Sequence, residues 1–160
     1  MSALAGYNLK QLEPYKGIGV APNVAVQSNK VLPATATGTI FTVTGAVVVL
    51  GLVGVVQTAF AATAVNISVG ITGANAALAA NPAAAFNATT VGSVIQMPAT
   101  LGGVLPAAVS AKGSAKGCSE FILENTNVTL TTDATNAGAL TWVLLWVPLL
   151  RKNPGAVTAP

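Results

Sequence analysis

Thr39-Ile40-Phe41-Thr42-Val43-Thr44 alternates apolar and hydroxyl side chains. It is rich in β-branched residues, the pattern of a half-buried strand. Gly45 interrupts it. Ala46–Leu50 and Leu52–Phe60 follow as valine-rich pieces, with Gly51 and Gly54 as bulge or turn points between them. This stretch decides the fold class, because no helical period runs through it and its glycines cut it to strand lengths.

The same texture continues downstream. Asn66–Thr72 puts Ile67, Val69 and Ile71 on one face and small polar residues on the other. Thr89–Met97, Ser119–Leu123 and Val128–Thr131 read as further strands, and Leu140–Leu149 as a last apolar one. Trp142 and Trp146 share one side of it, and Pro148 marks its fraying end. Between them, Gly73–Ala88 is alanine-rich and suggests a helical turn stopped by Pro82. Leu101–Gly117 reads as loop and Asp133–Gly138 as a turn. About seven to nine short strands with regular turn signals are expected, the mark of an all-β sandwich or jelly-roll-like domain.

Upstream the texture differs. Residues 1–35 hold Pro14, Pro22 and Pro33, several glycines and both tyrosines, Tyr7 and Tyr15. Ala3–Glu13 is a candidate short helix, and the remainder keeps no period. The expected organisation is an extended N-terminal arm over 1–35, a β-sandwich over 36–150 and a C-terminal tail over 151–160. Tyr7, Leu9, Leu12 and Tyr15 are the candidate arm anchors for a partner. Phe41, Phe121, Trp142 and Trp146 are the candidate core or oligomer anchors, with a purely intramolecular core as their plainer reading.

Charge sharpens the picture. The chain has 160 residues, of which 52% are apolar and only 7% charged, against a usual charged share of about 25%. From Val31 to Ala111 there is no charged side chain at all. A soluble monomer normally spreads charge over its surface, so this surface is expected to be covered by lipid or by protein. Ile40–Val65 is long enough to span a bilayer. Against that span stand its Val and Thr content, its glycines, and its distant cations, Lys30 upstream and Lys112 downstream. Covering by protein is the preferred reading.

Chemistry is sparse. There is no histidine, and Cys118 is the only cysteine, so no internal disulfide, Ser-His-Asp triad, Cys-His pair or zinc site can be built. Glu120 and Glu124, four apart on a strand, would lie about 13 Å from each other, too far for a retaining carboxylate pair. With Asp133 they match no calcium loop. Gly51-Leu-Val-Gly54 lacks the lysine of a phosphate loop. The seven cations form no stripe for nucleic acid, and Lys112 and Lys116 read as a solvated loop. The sequons at Asn66, Asn87 and Asn127 read as chance, because Met1–Ala21 lacks the basic start and apolar core of a secretory leader. No enzyme activity, cofactor, metal or small-molecule substrate is expected, and synthesis in a cytoplasm is.

Thr39-Ile-Phe-Thr-Val-Thr-Gly45, Asn66-Ile-Ser-Val-Gly70, Val128-Thr-Leu-Thr-Thr132, Gly138-Ala-Leu-Thr-Trp142 and Val147-Pro-Leu149 together resemble small Ala/Val/Thr/Gly-rich virion proteins of tailed bacteriophages. These are decoration (cement) or minor capsid proteins. The likeness covers roughly residues 38 to 150. It implies a sandwich or jelly-roll-like module on the outside of a capsid, with no catalytic residues to carry over. Its partners would be copies of itself, a trimer being favoured at threefold axes, and the major capsid protein. A tail, fibre or host-binding virion component is the alternative, and a small membrane protein spanning near 40–65 is the third reading.

Overall fold

The computed structural model describes residues 21–82, 85–105, 120–149 and 155–160. The chain is all-β, with no helix among these residues. Eight strands form in chain order: β1 (Asn23–Val31), β2 (Thr37–Thr58), β3 (Ile67–Ile71), β4 (Ala74–Ala79), β5 (Val94–Gln96), β6 (Phe121–Thr132), β7 (Ala139–Pro148) and β8 (Ala156–Thr158). They join in one antiparallel sheet of order β1-β7-β2-β6-β3-β4, with β5 and β8 also on β2. One connected sheet therefore stands where two stacked sheets were expected.

Strand β2 explains the difference. Its glycines do not end it, and it runs 22 residues without a break. Its N-terminal half has β6 on one edge and β8 on the other. Its C-terminal half exchanges these for β5 and β7. One strand thus carries two sets of neighbours and links them into one connected sheet.

Bulges keep the apolar side chains of β2 facing inward along that length. Residues directly opposite in an antiparallel pair project to the same face, and an extra residue on one strand shifts its phase by one. Ile40 is extra where Thr39 pairs Thr129 and Phe41 pairs Val128. Both Ile40 and Phe41 can therefore be buried. Leu50 is extra where Val49 pairs Trp146 and Gly51 pairs Leu145. Before it the odd residues Val47 and Val49 point in; after it the even residues Leu52, Gly54 and Val56 do. Their partners Leu144, Trp142 and Leu140 on β7 keep one phase throughout.

A third shift sets Thr44 and Gly45 against Asn125. Gly45 has a left-handed φ of 69°, easy for a residue without Cβ. Its N–H donates to Oδ1 of Asn125 at 2.8 Å. There the phase change falls on β6, whose inward residues are Phe121 and Leu123 before it and Val128, Leu130 and Thr132 after it.

The result is one continuous core drawn from every strand. Phe60 and Phe86 meet edge to face within it, with centroids 6.2 Å apart, a favoured aromatic geometry.

Three sequence expectations change. Residues 23–31 are not part of an arm: they form β1, in register with β7 from Asn23↔Trp146 to Val31↔Ala139. Residues 156–158 pair with β2 instead of forming a free tail. The alanine-rich 74–79 is strand β4, not a helical turn, because β3 offers it a partner through a two-residue connection at Thr72-Gly73. Local propensity is a weak prior and pairing overrides it.

The stretch weighed as a membrane span at 40–65 is not a helix. Residues 40–58 lie in β2, where sheet partners satisfy their backbone groups. Among the described residues no helix is long and apolar enough to cross a membrane.

Candidate self-association face

The four aromatic anchors chosen from the sequence all lie in the core of the single chain. Phe41 and Trp142 are fully buried, and Phe121 and Trp146 nearly so. Val49 sits between Phe121 on β6 and Trp146 on β7. None of the four is presented to a partner. Tyr7, Leu9, Leu12 and Tyr15 lie outside the described residues, as do the Ala3–Glu13 helix candidate, Lys112, Lys116 and Cys118.

What the sheet does present is its second face. Opposite the inward residues, the outward positions on β1, β7, β2 and β5 fall into rows. Val24 pairs Leu145, and Val26 pairs Val143. Val143 then pairs Val53, and Thr141 pairs Val55. Val53 and Val55 in turn face Gln96 and Val94. Val24 is 47% exposed and Val26 46%. Val143, Leu145, Val55 and Val94 are half-buried, and Val53 is buried. Apart from Lys30 near the end of β1, these four strands hold no charged residue. Contiguous neutral, apolar sheet surface of this kind marks interaction sites on soluble proteins.

Sequence reasoning missed β1's part in this face. The alternation Asn23-Val-Ala-Val-Gln27 was the available signal. It was masked by the neighbouring prolines and glycines, which gave the whole of 1–35 the texture of an arm.

Titratable groups are arranged structurally. Asp133 accepts from the backbone N–H of Asn66 at 2.8 Å and from Nδ2 of the same residue at 2.6 Å. The backbone bond, and then the side-chain bond, hold its carboxyl below the usual 3.8. This clamp ties the start of β3 to the end of β6. Glu124 is exposed and lies opposite Ala46. Among the described residues, no three acidic, Cys or His side chains gather to hold a metal ion.

A buried amide does comparable work. Asn136, only 4% exposed, accepts at Oδ1 from Ala61 N–H and Gly138 N–H, each at 3.0 Å. Its Nδ2 donates to the Thr63 carbonyl at 2.8 Å. It pins the segment after β2 to the turn before β7.

Comparison with protein-family models, with curated proteins and with solved structures finds no match.

Proposed function

We propose that this chain is a non-enzymatic structural protein whose work is to pack against other protein surfaces. In this reading it associates with copies of itself and binds the outside of a phage capsid, against the major capsid protein, as a decoration (cement) or minor capsid protein. The observation that supports it is the neutral, valine-lined outer face of β1, β7, β2 and β5. Chemistry that transfers protons or groups needs titratable side chains placed together. A broad uncharged face supplies van der Waals contact and excludes water instead. The phage assignment itself rests on the sequence resemblance over residues 38–150.

The test is to mix the purified chain with empty capsid shells and count bound copies per shell as the protein is titrated. Saturation at a fixed number is the expected result. Absence of saturable binding would sink the capsid assignment.

A further inference from the structure

We infer that β1 is a pairing edge, and that two copies of this chain join through it about a two-fold axis, antiparallel, to make one sheet continuous across both. This inference rests on the self-association part of the proposed function and adds its surface and symmetry.

The argument begins with the edges. A strand with one free side carries a row of unpaired N–H and C=O groups that template pairing with another chain. Among the described residues β1, β4, β5 and β8 each have one such side, and β6 has one along Phe121–Thr126. The C-terminal end of the β4 side is covered by the 102–105 segment: Gly102 N–H donates to Leu78 C=O at 3.1 Å, Ala80 N–H to Gly103 C=O at 2.9 Å, and Leu105 N–H to Ala80 C=O at 3.1 Å, which leaves only the short Ala74–Ala77 stretch. β5 and β8 are three residues each. Only β1 is long, at nine residues, and no described segment lies against its outer side.

Proteins that keep such an edge to themselves usually protect it with Lys, Pro or inward charges. From Asn23 to Asn29, β1 has none of these. Its single cation, Lys30, comes after the irregularity at Ser28 and Asn29, where Asn29 takes a left-handed φ of 47°.

The choice of a second copy follows from what is open. A head-to-tail ring needs two different free edges, and the other open stretch, Phe121–Thr126, is shorter, carries the charge of Glu124 and is interrupted by the left-handed Asn125. An isologous contact needs only one edge used twice, and it closes on itself, so assembly stops at two. This favours a two-fold contact where capsid symmetry had favoured three.

Register follows too. The regular stretch of β1 is Asn23–Gln27, and centring the axis on Ala25 pairs all five residues. Val24 then lies opposite Val26 of the second copy, on the outward face. The row Leu145–Val24 and Val143–Val26 continues unbroken into the partner. No like charges meet across the axis.

The experiment uses the full chain and a Val24→Lys/Val26→Lys variant. Both side chains are about half exposed, so the fold tolerates the change, and near-ultraviolet circular dichroism from the buried Trp142 checks it. Sedimentation equilibrium over about 1–100 µM, where modest interfaces populate both states, should give twice the 15.8 kDa chain mass for the parent. The variant should dimerise at least tenfold more weakly. Hydrogen exchange of the β1 amides supplies a second readout, with protection rising as the parent is concentrated. A parent that stays monomeric with unprotected β1 overturns the inference. So does a dimer or trimer that the two lysines leave unchanged. A lysine-sensitive dimer that ignores empty shells supports the inference while defeating the capsid assignment. Saturable shell binding by a chain that remains monomeric does the reverse.

Discussion

The indole of Trp142 lies across Gly54, its partner on the neighbouring strand. A Cβ at Gly54 would come within 3.1 Å of Cη2 and Cζ3 and 3.2 Å of Cε3. Trp142 is fully buried, so its ring can yield only by disturbing the core. The absent side chain of residue 54 is therefore part of how the largest core residue fits. Gly54→Ala should destabilise the protein by about 1–3 kcal/mol, the usual cost of overpacking. Urea unfolding followed by tryptophan fluorescence would measure it. A neutral or stabilising substitution would show that the ring shifts freely.

Leu50 is the extra residue that moves the inward phase of β2 from odd to even positions. Leu50→Ala should cost about 1–2 kcal/mol, since its side chain is only half-buried. Deleting Leu50 removes the bulge but leaves Val49 opposite Trp146 and Gly51 opposite Leu145, so Leu52, Gly54 and Val56 stay inward. Cooperative unfolding should therefore survive the deletion. Thermal melts of the two variants make the comparison. A deletion variant that no longer melts cooperatively would refute the phase argument.

Removing the Asn136 amide should uncouple the segment at 61–63 from the turn before β7. Asn136→Ala leaves the Ala61 and Gly138 N–H groups and the Thr63 carbonyl without their partner. Unsatisfied buried groups cost about 1–3 kcal/mol each before relaxation and water entry, and a loss of about 3 kcal/mol is expected. Asn136→Asp should behave worse at neutral pH than in mild acid, because a carboxylate faces the Thr63 carbonyl where Nδ2 donated. Equal stability of the Asp variant at both pH values would contradict this geometry.

Asp133 sets an acid limit. Its folded pKa is depressed by the Asn66 backbone and side-chain bonds. Its contribution is therefore complete above the ordinary value of 3.8 and fades as pH falls through the lower folded value. The carboxylate is exposed, so the effect is small in size and clear in sign. Asp133→Asn should lower the melting temperature slightly near neutrality and flatten its dependence on pH below about 4. An unaltered acid slope would remove Asp133 from the account.

Much of this molecule could be read from local pattern. The alternation at Thr39–Thr44 and Ile67–Ile71, the neutral run from Val31 to Ala111, and the burial of Phe41, Phe121, Trp142 and Trp146 all follow from residue type and spacing of two. Those features depend on neighbours in the chain, and so they determined the all-β class. Other features depend on partners far away in sequence. Only the tertiary structure decided that Gly45 and Gly51 sit at bulges inside one strand, that alanines 74, 76, 77 and 79 extend alongside β3, and that Asn23–Val31 finds β7 more than a hundred residues later. A strand's pairing, its phase and its free edge are settled by hydrogen bonds to a remote segment, and no local window contains both halves of that bond.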